Sequence, residues 1–366
     1  MVSNPKKNRE NINWIDFAKG VCILLVVFHH VMITSYHLPS ISPNEQQEWI
    51  TQFYELVNKK LAPLRMPLFF LISGFLVYRS ATVYPWKDIF YKRIHNIWYI
   101  FIVWGVIQWG SITLIQDMSG SVERASSASN ALYATSIEDF LALTFSGSSS
   151  LWYLYALPIY FIICKLFSQR PRLCVCLFLI THFSAQYFGL RWPTGSILSN
   201  GIFFAIGCFY GSTLFAILAQ LRFKSLMFFA CLFVFFVIFS FFGVHIGLLK
   251  SLLFISVAIV ILVNLQKMWD GKILCWMGKN TLPIYVIHRI LLEALALLGV
   301  PLLLDSFENG YWLTAWFVAF PFLATVVVTL VSLLIWKLTN NGYGTFLYSA
   351  PVFQSKSRKA LKSQSV

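Results

Sequence analysis

The stretch Trp14–Ser35, WIDFAKGVCILLVVFHHVMITS, constrains this chain most: it is apolar and long enough to cross a bilayer, yet holds an acid, a base and two histidines. Ionisable groups inside a membrane helix are costly, and their retention points to a task. At about 100° per residue, Lys19 and His30 fall within roughly 20° of each other on one helical face, with Asp16 about 40° to the other side of His30. His29 is expected to point away from that face. The helical rise separates Lys19 from His30 by roughly 16 Å, so a polar stripe runs from the helix entrance into its depth.

The rest of the chain fits that start. Its 366 residues are 58% hydrophobic and 11% charged, too little charge for a soluble domain of this size. Ten apolar spans are expected at 14–35, 64–79, 97–117, 150–167, 173–189, 197–219, 226–243, 247–266, 281–299 and 312–336. This predicts an all-α polytopic membrane protein with about ten transmembrane helices. The net charge of +14 does not argue for nucleic acid, because its distribution follows the loops. Basic residues cluster in alternate connections, such as Lys87, Lys92 and Arg93, while the intervening ones hold acids such as Glu45, Glu48, Glu138, Asp139 and Asp305. That positive-inside pattern places both termini in the cytoplasm.

The domain reading is a cytoplasmic segment over 1–12, a membrane domain over 13–337 and a basic cytoplasmic tail over 338–366. The tail is Ser/Lys-rich and is expected to be disordered. Residues 36–62 and 118–148 read as outer loops, the second mobile by composition. The first span has the basic flank of a signal sequence but no small-residue cleavage site, and is expected to be retained. Seven scattered cysteines supply neither a disulfide framework nor a metal-ligand set, so no metal is expected.

His30 leads the residues suited to chemistry. A neutral imidazole is a workable general base near neutral pH. The plainer alternatives are that His30 bonds a neighbouring helix and that Lys19 snorkels to the interface. Asp16 and Lys19 are suited to orienting groups at the helix entrance. In MPLFFLISGFL (66–76), Pro67, Ser73 and Gly74 predict either a kinked or broken helix lining a cavity or close helix packing. Lys92, Arg93 and His95 suit phosphate binding, although the positive-inside bias explains such charges equally. In TLPIYVIHRILLE, Tyr285 and His288 share a face, and Arg289 and Glu293 are spaced to pair. A Tyr–His pair serves either catalysis or structure. Trp152 and Tyr153 read as an interfacial belt, and Gly207 with Gly211 as a small-residue pair that lets two helices approach. Nucleotide-binding, zinc-protease and GxSxG signatures are absent from the sequence.

These motifs together resemble the membrane-bound acyltransferase 3 family, which acetylates sugars and other acceptors. The family's opening pattern of an acid, a base plus glycine, and a histidine eleven positions after the base falls on Asp16, Lys19–Gly20 and His30. PLFFLISGF matches the second-helix signature through Ser73 and Gly74, and LWYL, GIFFAIGCFYG and LPIYVIH follow in order, covering roughly 12–337. Two departures stand out. Lysine replaces the commoner arginine before Gly20, as in a subgroup resembling sugar O-acetylases. The family's paired arginines after the second span are met only by Arg93, since Asn96 occupies the other position, leaving Lys92 and His95 at that spacing.

The resemblance implies an integral O-acyltransferase of a bacterial inner membrane. It would move an acetyl group from acetyl-CoA, a co-substrate and not a bound cofactor, to a hydroxyl of a surface polysaccharide or its lipid-linked precursor. His30 would be the general base, or the carrier of a transient acyl group, with Asp16, Ser73, Tyr285 and His288 in support. Lys19, Lys92, Arg93 and His95 would meet the coenzyme phosphates. The rival is a transporter or glycolipid flippase that uses the same polar stripe; a structural subunit of a polysaccharide assembly complex is a third reading.

Overall fold

A computed structural model describes residues 5–35, 45–120, 130–221, 247–299 and 310–351. Every regular element among them is helical. The principal helices are α1 (Pro5–Ser35), α2 (Glu45–Lys60), α3 (Ala62–Thr82), α4 (Trp86–Phe90), α5 (Asn96–Ser119), α6 (Ile137–Phe145) and α7 (Trp152–Leu166). They continue with α8 (Pro171–Tyr187), α9 (Thr194–Gln220), α10 (Gly247–Met268), α11 (Lys272–Lys279), α12 (Thr281–Ala294) and α13 (Gly310–Thr339). Seven stretches among the described residues are long and apolar enough to cross a membrane, and α7 is a shorter apolar helix. The polytopic all-α class therefore stands. Of the other expected spans, 173–189 falls on α8, and 226–243 lies outside the described residues.

Glycines set how closely the central helices approach. A Cβ on Gly74 of α3 would collide with the Phe204 carbonyl of α9, and one on Gly207 with the Leu71 carbonyl. Gly211 faces the Phe75 ring. Backbones meet at this crossing because no side chain separates them. The expected approach at Gly207 and Gly211 is thus found, and Gly74 belongs to packing. α3 runs unbroken from Ala62 to Thr82 with Pro67 inside it, and its Met66, Pro67 and Ser73 border cavities, so the stretch lines a cavity without a break. A second close approach joins α1 to α11: a Cβ on Gly20 would strike the Leu274 carbonyl, and one on Gly278 the Asp16 carbonyl.

Three parts differ from the sequence expectation. Residues 45–60, expected as loop, form the helix α2, whose Trp49, Phe53 and Leu56 make an exposed apolar stripe at helical spacing. The expected loop 118–148 contains α6, which Ser136 caps by accepting from the Asp139 N–H. Beyond Asn340, residues 342–347 form a 3₁₀ turn and dock on α5. The Trp104 indole donates to the Leu347 carbonyl at 2.6 Å, and the Asn96 side-chain oxygen accepts from the Ala350 N–H at 2.7 Å. Structure in the tail therefore reaches Pro351; residues 352–366 lie outside the described part.

Candidate active site

Two neighbouring cavities lie beside α1. The larger, about 620 Å³, is bordered by His29, His30, Arg65, Trp152, Asn200 and Arg289 among others. The smaller, about 240 Å³, is bordered by Lys19, Phe69, Ser73, Asn96, Tyr153 and Tyr285 among others. Val26 and Met66 line both, so these two side chains stand between the neighbouring chambers. A third cavity of about 120 Å³ shares Ser73, Ile97 and Leu157 with the second and brings in Arg93. Polar groups therefore succeed one another from Arg93 through Ser73 and Lys19 to His30, within a largely apolar bundle.

α1 supplies both ends of this arrangement. Lys19 pairs with Asp16 at 3.2 Å, one turn earlier, and borders the smaller cavity. His30 borders the larger one, and its buried Nδ1 has no hydrogen-bond partner among the described residues. Its ring lies 5.1 Å from that of His288 on α12 and 5.2 Å from that of His29. The His288 Nδ1–H donates to the Ile284 carbonyl one helical turn back, at 3.0 Å. That bond fixes the tautomer and leaves His288 Nε2 as a buried acceptor with no hydrogen-bond partner among the described residues. His29 also borders the larger cavity and meets Asn58 of α2. The helical wheel separates the two histidines, but the chamber is wide enough to take both.

Around the smaller cavity, Ser73 and Tyr153 share a hydroxyl–hydroxyl bond of 2.6 Å. Two hydroxyls carry two protons and need only one for the bond between them, so one O–H is left to donate. Tyr153 is only 7% exposed, which places it in the core and not in an interfacial belt. Tyr285 donates to the Ser150 carbonyl at 2.8 Å, and Ser150 donates to Gln108 at 2.8 Å. Gln108 in turn donates to the Val286 carbonyl. The Tyr285 proton is thus committed to the backbone, in a bond that joins α12 to the segment leading into α7.

The expected Arg289–Glu293 pair is present at 2.8 Å, buried. Arg289 also reaches Thr34 of α1 and the Tyr133 hydroxyl, which in turn donates to Glu293. This network fixes α12 against α1 beside His30.

Of the basic group on the connection to α5, only Arg93 borders one of the three cavities; its Nε donates to the Ser80 hydroxyl at 3.2 Å. Lys92 and His95 are exposed, and the His95 ring stacks on Tyr91, 5.1 Å away. Asn96 carries no charge in place of an arginine; its side-chain oxygen accepts from the Ala350 N–H, and the residue borders the smaller cavity. Sequence reasoning missed Arg65 and Tyr153. Arg65 sits at the end of an apolar span, away from the polar stripe of α1, and Tyr153 at a helix start, where aromatics are common.

The family described as "Acyltransferase domain" matches residues 12–337. The chain is 32% identical over 351 residues to "Inner membrane protein YcfT" of Escherichia coli (strain K12), covering 92% of this chain and 96% of that protein. No solved structure gives a significant match.

Proposed function

The chain belongs to the acyltransferase 3 family of membrane proteins, and on that premise we propose that it is an inner-membrane O-acetyltransferase acting on a surface polysaccharide or its lipid-linked precursor. Acetyl-CoA is the donor in this reading. The observation that carries it is the pair of neighbouring cavities that share Val26 and Met66, one with Lys19 and Ser73, the other with His30. The coenzyme phosphates rest on the cytoplasmic basic face at Lys19 and Arg93, and the pantetheine arm extends past Ser73 toward Val26 and Met66. Both termini are cytoplasmic in this arrangement.

The acceptor occupies the larger chamber. Trp152 and Trp192 offer aromatic faces there, and Ser196, Asn200 and Ser251 offer hydrogen bonds, a combination suited to a sugar. His30 takes the proton of the acceptor hydroxyl as its oxygen attacks the thioester carbonyl. The carbon–sulfur bond breaks, and the departing thiolate recovers the proton from the imidazolium. In this reading the spare hydroxyl proton of the Ser73–Tyr153 pair serves the developing oxyanion. His288 buttresses the His30 ring, and Asp16 holds Lys19 at the donor entrance.

The test supplies purified protein in lipid with radiolabelled acetyl-CoA and a bacterial glycan fraction. The expected result is label transferred to the glycan with release of free coenzyme A. Glycan translocation without donor consumption would instead favour a transporter.

A further inference from the structure

We propose that Arg65 forms an anion-binding subsite in the larger chamber, recognising a carboxylate or phosphate carried by the acceptor. The inference rests on that chamber being the acceptor's.

Arg65 lies in the first turn of α3, is 8% exposed, and borders the cavity together with His29 and His30. Its charge is unbalanced. Lys19 has Asp16, Arg289 has Glu293 and Lys59 has Glu55, yet no carboxylate pairs with Arg65 among the described residues. Among the described residues, no aspartate or glutamate lines the chamber. A buried guanidinium without a counter-charge is costly in a membrane protein, and such groups mark substrate pathways.

The hydrogen bonds show which part of the guanidinium is free. Nη1 donates to the Asn58 backbone carbonyl at 2.9 Å and to the Asn58 side-chain oxygen. Those two bonds use both Nη1 protons and fix the side chain against α2. Nε and Nη2 have no partner among the described residues. Together they form the side-on edge that accepts two oxygens of a carboxylate or phosphate at once. One edge is anchored and the other is open, the arrangement expected of a preorganised anion clamp. A purely structural tie between α2 and α3 needs only the Nη1 bonds and leaves the charge unexplained.

Two acceptor chemistries present such an oxyanion: an acidic sugar and the phosphate of a lipid carrier. Binding distinguishes them without acyl transfer. Full-length protein in nanodiscs of zwitterionic lipid is equilibrated with a radiolabelled glucuronate-containing disaccharide or its neutral glucose counterpart. Displacement by a short-chain, water-soluble prenyl phosphate is measured in parallel. Wild type, Arg65→Gln and Arg65→Lys are compared.

The expected result is about tenfold tighter binding of at least one anionic probe than of the neutral sugar. Arg65→Gln removes that preference while neutral-sugar affinity stays within about twofold, and Arg65→Lys retains part of it. Preference for the uronate assigns the oxyanion to the sugar, and preference for the prenyl phosphate assigns it to the carrier. Charge-blind binding by wild type, or a preference that survives Arg65→Gln, would overturn the subsite. Equal loss of neutral and anionic binding in both variants would also overturn it, by showing a structural role. Because no acyl donor is present, an Arg65-dependent preference in a protein that fails to transfer acetyl would leave the subsite standing and reject the reaction.

Discussion

Replacing His30 with alanine is expected to lower acyl transfer by about 10²–10⁴-fold, the range that a positioned general base contributes, while the protein still folds. The second half of that expectation comes from its surroundings. His30 makes no hydrogen bond among the described residues, and its buried Nδ1 has no partner. The substitution therefore leaves no donor or acceptor newly orphaned. It removes ring contacts with His29 and His288 and enlarges a chamber that is already open. Turnover is compared with wild type alongside monodispersity and thermal unfolding in detergent. Unchanged turnover in a folded His30→Ala protein would remove His30 from the mechanism.

Glu293→Ala is expected to destabilise the protein by about 3–5 kcal/mol, because it leaves the buried Arg289 guanidinium without its carboxylate. Arg289 and Glu293 lie at 2.8 Å with 7% and 0% of their side chains exposed, so water replaces little of the lost interaction. Tyr133 loses its acceptor at the same time. Replacing both partners, as in Arg289→Met with Glu293→Leu, removes the orphaned charge and is expected to recover much of the stability. Thermal unfolding of the two variants checks this. Equal destabilisation by the single and double substitutions would show that the charge balance is not what the pair contributes.

Much of this arrangement was legible in the sequence because the bilayer penalises exceptions. Asp16, Lys19 and His30 stood out as polar residues in an apolar span, and Lys19 and His30 border neighbouring cavities. Arg289 and Glu293 were readable by the same logic at four-residue spacing. Partners from distant segments were not readable. Nothing local to Tyr153 announces Ser73, eighty positions away, and nothing local to Asn96 announces Ala350. Arg65 was hidden for a different reason: in the sequence it only flanks a span, and the structure alone shows that it borders a chamber with no carboxylate paired to it among the described residues. α2 escaped notice because its apolar residues form a narrow stripe in an otherwise polar stretch, below the level that marks a membrane span.

In the proposed reaction, donor and acceptor reach His30 from opposite sides, through the two neighbouring chambers that share Val26 and Met66. Sealed proteoliposomes of uniform orientation test it most directly, with radiolabelled acetyl-CoA supplied to one face and glycan acceptor to the other. Labelled glycan is expected only when acetyl-CoA faces the Lys19 side and the acceptor the opposite side. Transfer only when both substrates share one face would contradict it.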